Sequence, residues 1–348
     1  MCTVFYLGEV ISLKYIEKFI LSLLQFLSAE ANVAIFLKES DVTELSCMKM
    51  AIGAVEKAFR LQGEGKIHLA PRRRCQTGNS ILHVMGSSMP TLGYAGVKSY
   101  TSVAGGFRFM MLLYKDDGQL VAMIEADKLG QLRTGAASAV ATKYMAREDA
   151  STLGVFGAGW QARAQIEAMA AVRPIKNVVV YSKTKDRLEK FCREMATATG
   201  LEVTPAEKPA DAACEMDIIV TATTSEVPVL QGEWIGKGTH INAIGSNFLS
   251  RQELDVKTVG KCSCVVVDSA EQALLECGDL AKAADAEVFY WEDARELGLV
   301  VLGEYPGRED ASEITLFESQ GIALEDVAFA AEIYEKALKE GKGEKLPF

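Results

Sequence analysis

Residues Gly157-Ala158-Gly159-Trp160-Gln161-Ala162 read G-x-G-x-x-A, a spacing that can turn a strand into a helix around a bound pyrophosphate. An apolar run at 153–156 stands directly before them, and a helix-forming stretch at 161–171 follows, ahead of another apolar run starting at Val178. Alone the hexamer is a weak signal. Between a strand and a helix it is the fingerprint of a dinucleotide site. Gly157 permits the tight turn, Gly159 lets the backbone approach phosphate, and Ala162 lets the helix pack on the strand. The start of the helix supplies amide donors and a partial positive charge. The end of the second strand then selects the dinucleotide. NAD sites place an acid there to accept from the adenosine 2′-hydroxyl. This chain has Tyr181-Ser182-Lys183-Thr184-Lys185-Asp186-Arg187 instead. The hydroxyl and basic groups of Ser182, Lys183, Thr184 and Arg187 suit a 2′-phosphate, so NADP(H) is the expected cofactor, with NAD(H) as the alternative. The other reading of these charges is a plain solvated loop.

The 348 residues carry 37 basic and 47 acidic side chains, a formal net charge of −10, with no basic block. That balance argues against nucleic acid as a partner. With 49% hydrophobic and 24% charged residues the composition is that of a globular chain, not a disordered one. Eight scattered cysteines without a repeated C-x-x-C read as a reduced, cytoplasmic protein. His68, His83 and His240 lie far apart and form no zinc-type cluster, so no metal site is expected.

Residues 19–27 are apolar, preceded by Lys14 and Lys18 and followed by Ala29-Glu30-Ala31, the outline of a secretory signal. Glu9, Glu17 and Gln25 oppose that reading. The spacing of Ile16, Phe19, Ile20, Leu23, Leu24 and Leu27 accounts better for the segment as an added amphipathic helix. The run falls short of the ~20 residues that span a bilayer, so no membrane partner is expected.

The elements that must position these groups fall into two patterns. Residues 33–128 read as α+β. A helix starts at Asp41 and runs to about Arg60, followed by strands at 81–85, 93–100, 107–114 and 119–125, with Asp116-Asp117-Gly118 as a hairpin turn. A helix at 128–145, rich in small residues, comes next. Short apolar runs at 153–156, 178–181, 217–223, 240–244 and 265–268 then alternate with helices, as buried parallel strands do. From Ser312 the chain reads as largely helical, and the polar tail 341–348 as frayed.

Several motifs in order resemble the ornithine cyclodeaminase/mu-crystallin family over about residues 33–340. They are Val97-Lys98, Leu132-Arg133-Thr134-Gly135-Ala136-Ala137-Ser138, the glycine loop, Ile241-Asn242-Ala243-Ile244-Gly245-Ser246-Asn247, Glu276-Cys277-Gly278-Asp279-Leu280, and the segment 315–326 beginning Thr315-Leu316-Phe317-Glu318. The resemblance implies an α/β fold: a Rossmann dinucleotide-binding domain at 129–311 and an α+β substrate-binding and dimerisation domain at 32–128 and 312–348. Residues 1–31 would be an extension. A homodimer is implied as well.

For the site, the resemblance implies that an arginine after Pro71 holds a substrate carboxylate, which a planar guanidinium can grip bidentately. Arg72 fits best by spacing, Arg73 next, and Arg74 remains open. Lys98 matches the family's active-site lysine, able to deliver a proton if an apolar setting lowers its pKa. Arg133 and Thr134 match phosphate contacts. Thr221, Ala222, Thr223, Ile244 and Ser246 are expected to join the glycine loop around the cofactor. Two departures stand out. Asn247 occupies the position of the cyclodeaminase aspartate and cannot act as a base, and His83 replaces a glutamate near the substrate amine, two residues before Met85. The loop after Lys98 also lacks the family's R-G-L-P stretch. These features favour an NADP(H)-dependent oxidoreductase reducing small ketimines, or interconverting amino and keto or imino acids, by hydride transfer at the α-carbon. A cyclodeaminase and a non-catalytic binding protein of the mu-crystallin kind are the alternatives.

One outcome follows from the second strand's end alone. NADPH should bind more tightly than NADH, and Ser182→Asp should reverse the order, because the new carboxylate repels a 2′-phosphate. Fluorescence titration of the two nucleotides measures this, and equal or tighter NADH binding by the unmodified protein contradicts it.

Overall fold

The computed structural model describes residues 33–103 and 106–347. The helix expected at residues 16–27 lies outside them. In the first half, alternating apolar residues build a meander. After β1 (Ile35–Leu37) and two helices come β2 (His68–Gln76), β3 (Ile81–Met89), β4 (Tyr94–Val103), β5 (Gly106–Lys115) and β6 (Leu120–Glu125). Each of β2 to β5 pairs antiparallel with the next, and β1 adds parallel to β6. Along β3 the alternation is plain: His83, Met85, Ser87 and Met89 are buried, while Leu82, Val84, Gly86 and Ser88 are half-buried.

The single helix expected between Asp41 and Arg60 is two helices, Glu39–Leu45 and Met48–Gly63. Ser46 and Cys47 between them are both extended. The break lets the short helix turn so that Glu39 accepts from the Asp127 and Lys128 amides at 2.5 and 3.1 Å, capping a third helix, Asp127–Met145. The apolar spacing runs unbroken through both helices, whereas that cap spans almost ninety positions of sequence.

Short strands follow, the central ones buried on both faces: β7 (Thr152–Phe156), β8 (Asn177–Tyr181), β9 (Glu202–Pro205), β10 (Ile218–Thr221), β11 (His240–Ala243), β12 (Cys264–Val267), β13 (Arg295–Glu296) and β14 (Thr315–Glu318). They form one parallel sheet in the order β13-β12-β14-β11-β10-β7-β8-β9. The direction of winding reverses between β7 and β10, and a crevice opens there at the carboxyl ends of the strands. This is a Rossmann-type sheet. β14 corrects the expectation of a helical chain returning to the first domain at Ser312. The segment first enters the parallel sheet between β11 and β12, and only then do helix Ala323–Glu340 and β15 (Glu344–Lys345) return to the other sheet. The tail expected to fray pairs antiparallel with β1 at Ile35 and Phe36.

The small residues of helix Asp127–Met145 serve close packing against helix Trp160–Val172. A Cβ on Gly135 would sit 2.7 Å from the Ala164 carbonyl oxygen and 3.0 Å from the Met48 methyl. Gly135→Ala should therefore destabilise the protein by about 1–3 kcal/mol through overpacking. Gly53 is exposed on its helix, and a Cβ there would meet nothing within 4 Å, so Gly53→Ala should instead gain about 0.5–1 kcal/mol. Urea denaturation of the two variants separates the cases.

Candidate functional site

The antiparallel sheet sets two rows of cross-strand neighbours by the crevice, of which Met85, Lys98, Tyr100 and Phe109 line it. One row runs Met85–Lys98–Met111, and the next runs Arg74–His83–Tyr100–Phe109. Above them lie the first turns of helix Asp127–Met145, the glycine loop, the segments after β10 and β11, and Ser319-Gln320-Gly321 after β14. Together they enclose a cavity of about 350 Å3.

Lys98 is only 2% exposed. Its Nζ donates to Asp326 Oδ1 at 2.7 Å and lies 5.1 Å from the Phe109 ring centroid. Arg133 shares the same carboxylate, with Nε 3.1 Å from Asp326 Oδ1, and donates Nη1 to Glu325 Oε2 at 2.6 Å. Burial pulls the Lys98 ammonium down to about 8, Asp326 opposing and Arg133 reinforcing that fall. A lysine poised there can hold or release a proton near neutrality. Gly130 leaves the room: a Cβ at that position would stand 3.3 Å from Lys98 Nζ.

The three arginines separate. A bulge between Ala70 and Arg73 turns the buried Arg72 inward, and its amide donates to Gln272 Oε1 at 3.3 Å instead of to β3. Arg72 Nη1 pairs with Glu276, and Nη2 donates to the carbonyls of Gln320 and Gly321 at 2.9 and 2.7 Å. Its Nε alone has no partner among the described residues. The fork expected to grip a carboxylate bidentately is thus largely committed to protein. Arg74 is half-buried, pairs with Glu276 at 2.6 Å, and donates to the Asn247 carbonyl at 2.7 Å. Arg73 is exposed and does not line the cavity, so it does not sit where a substrate group would.

His83 lies behind the wall. It stacks on Tyr100 with centroids 4.2 Å apart, and its Nε2 is 3.1 Å from Ser102 Oγ. Burial, then the charges of Arg74, Arg72 and Arg251, lower it to about 4, so it is neutral. Met85 lines the cavity beside Lys98. Asn247 lines it too, its Oδ1 accepting from Arg251 Nη1 at 2.9 Å.

At the crevice Gly157 has φ +109°, a backbone that L side chains avoid, and a Cβ there would meet the Ala222 carbonyl at 2.5 Å. Gly159 begins helix Trp160–Val172 with no side-chain cap, and its Cβ position is open to 4 Å. The first amides of that helix are therefore free for an anion, with Gly159, Trp160 and Gln161 on the cavity wall. These residues fit a dinucleotide pyrophosphate. Ala222, Thr223 and Ile244 line the same space, as do Arg133 and Thr134. Ala158 follows β7, and the exposed or half-exposed Ser182, Lys183, Thr184 and Arg187 follow β8; none of these five lines the cavity.

Two expected cofactor contacts turn inward. Thr221 is wholly buried, donating to Glu253 Oε2 at 2.9 Å, and Ser246 Oγ accepts from the Gly278 and Asp279 amides at 3.1 and 3.3 Å. Both brace the crevice without lining it. Thr221 ends β10 with its side chain in the core and Ser246 lies on the loop three residues past β11, and a motif match shows neither orientation. Reading from sequence also passed over Glu253, Asp326, Glu276, Arg251 and Tyr100. Glu253, fully buried, takes hydrogen bonds from the Thr223 and Gly245 amides at 2.6 and 2.7 Å and so staples together the loops after β10 and β11. The Glu325-Asp326 pair reads in sequence as acids favouring a helix start; its burial under Lys98 and Arg133 appears only in three dimensions.

Comparisons with known proteins agree with this architecture. An alanine dehydrogenase of Archaeoglobus fulgidus is 36% identical over 326 residues, covering 90% of this chain and 98% of that one. A Δ1-pyrroline-2-carboxylate reductase of Bacillus cereus is 41% identical over 232 residues, 66% of this chain and 71% of that one. The structure of a Δ1-pyrroline-2-carboxylate reductase of Thermococcus litoralis, in complex with NADH and L-proline, matches with a TM-score of 0.87 at 36% identity, covering 90% of this chain and all of that one. The family model for ornithine cyclodeaminase/mu-crystallin proteins matches residues 32–341, and the chain belongs to that family.

Proposed function

We propose that this protein is an NADP(H)-dependent oxidoreductase that reduces small ketimines, or interconverts amino and imino or keto acids, at the α-carbon. More coarsely, it is a nicotinamide-dependent oxidoreductase acting on C=N and CH–NH groups. The observation that carries the reading is Lys98: an ammonium near its neutral point, buried at the floor of a cavity whose roof is a dinucleotide crevice. When bound, the nicotinamide supplies or accepts the hydride. Arg72 Nε and Lys98 Nζ hold the substrate carboxylate, and Lys98 passes a proton to or from the nitrogen. Phe109, Tyr100 and Met85 exclude water from the reacting carbon. Asn247 offers no base, which weighs against ring closure with loss of ammonia. Preference for NADP(H) rests on Ser182, Lys183, Thr184 and Arg187.

A homodimer is part of the proposal. The sheet's outer face carries the half-exposed row Val97–Leu112–Met123, with Leu82, Val84 and Met110 also half-exposed on it, an apolar group of the kind that a two-fold interface covers. No described helix is long and apolar enough to cross a membrane.

A panel of keto acids with ammonium, and of cyclic imines, followed by NADPH oxidation tests the reading. Ammonia release from ornithine without net nicotinamide change would overturn it. Lys98→Ala should abolish most turnover while NADPH affinity stays within about twofold. Arg72→Ala should raise the substrate KM about ten- to a hundredfold, the worth of a charge-assisted hydrogen bond of ~1.5–3 kcal/mol. Arg73→Ala should be mild.

The pH profile carries a sign. Lys98 is protonated below its value of about 8, so imine reduction should be fast there and fall as pH rises through it. Oxidation of the amine should rise over the same interval. Asp326→Asn removes the carboxylate that holds the ammonium charged, so the falling limb should move to lower pH.

A further inference from the structure

We infer that Arg251 recognises a second carboxylate on the substrate's side chain, which makes the substrates α-imino or α-keto dicarboxylic acids. The inference rests on the oxidoreductase reading above and narrows its substrate class.

Four cations, Arg72, Lys98, Arg133 and Arg251, and the carboxylate of Asp127 line the cavity, with Arg74 beside them. Lys98 and Arg133 pair with Asp326 and Glu325, and Arg72 and Arg74 share Glu276. Arg251 lines the cavity and forms no ion pair among the described residues. Its Nη1 donates to Asn247 Oδ1 at 2.9 Å and to the Gly245 carbonyl at 3.4 Å, which leaves Nε and Nη2 without a described partner. The guanidinium lies 4.9 Å from the Phe248 ring centroid, and that of Arg74 lies 4.1 Å from the same centroid. So three guanidinium groups, with one carboxylate between them, gather at one end of the cavity. Partly buried charge without a counter-ion is costly, and an anionic ligand offsets it. The α-carboxylate belongs at the Arg72 and Lys98 end, and a second carboxylate supplies the ion pair that Arg251 lacks.

Position agrees. Arg251 and Arg74 both lie over the Phe248 ring, which meets His83 edge-on at 6.2 Å between centroids, so Arg251 sits by the Arg74–His83–Tyr100 row and not by the Met85–Lys98 row. Tyr100 and Lys98 are two residues apart on one face of β4, about 7 Å along the strand. Arg251 thus belongs with the row one pleat from Lys98, a spacing that suits a short diacid. Asn247 points the same way. An aspartate there would pair with Arg251 and cancel it, while the amide fixes Nη1 and leaves the charge for a ligand.

The test compares 2-oxoglutarate with 2-oxopentanoate, equal in chain length, each with ammonium and NADPH. The diacid should have a kcat/KM at least about tenfold higher. Arg251→Gln and Asn247→Asp should each collapse that ratio about tenfold, and Arg251→Lys should restore part of it. Glutarate should also bind the NADPH complex more tightly than pentanoate by calorimetry, a measurement that does not need turnover. If neither keto acid nor any cyclic imine is reduced, the oxidoreductase reading fails, and the glutarate comparison still decides the role of Arg251. Equal treatment of both acids would overturn the inference, as would an Arg251→Gln loss shared equally by both or appearing only in NADPH affinity.

Discussion

An ammonium group placed beneath a sheet, out of contact with water, must find compensation or lose its charge. Lys98 finds it in Asp326, whose carboxylate also holds Arg133, while Glu325 takes the other side of that guanidinium. The three partners come from helix Asp127–Met145 and helix Ala323–Glu340, so the chemistry at β4 depends on the chain's far end packing correctly. Removing one member of such a set leaves an uncompensated buried charge, at a cost of about 3–5 kcal/mol. Gly321 belongs to the same arrangement. With φ +74°, it keeps a Cβ from the place where Arg133 Nη1 would be only 2.6 Å away. Burial, not a special side chain, brings Lys98 into the range where a proton can move at neutral pH.

The crevice above is held by a second buried acid acting in another way. Glu253 forms no ion pair among the described residues. It gathers backbone amides and hydroxyls from the ends of β10 and β11, and its own amide donates to Asp279 Oδ1 at 2.8 Å. Donors around it oppose the rise in pKa that burial imposes. The loops that border the nicotinamide end are thereby fixed before any ligand arrives, which is the preorganisation that hydride transfer between two bound groups requires.

Between these two braces the cavity is chemically divided. The Lys98 end is balanced, cation against carboxylate. The Arg251 end keeps spare positive charge, and His83, held neutral by burial and three arginines, adds none to it. Tyr100 and Phe109, in contact at 4.8 Å between centroids, form the apolar floor that joins the ends.

From the residues alone, the parallel sheet, the dinucleotide turn, the hairpins of the meander and the family could be read, because each rests on local spacing. Glycines at a turn, β-branched runs and alternating faces depend on neighbours a few positions away. The positions of Gly157 and Gly159 follow from those patterns, whereas those of Lys98 and Arg133 rest on the family resemblance. What only the tertiary structure decided depends on residues far apart in sequence. β14 enters the centre of the parallel sheet because its two partners, β11 and β12, close over it, although its sequence also suits a helical reading. The helix at Glu39 breaks to cap Asp127 and Lys128. Arg72, Arg73 and Arg74 are indistinguishable by type, and a bulge with one buried glutamate assigns them different environments. Thr221 and Ser246 match a motif but turn inward. Charge compensation is a property of the folded ensemble of groups, so which arginine stays free was decided only when Asp326, Glu325 and Glu276 had been placed.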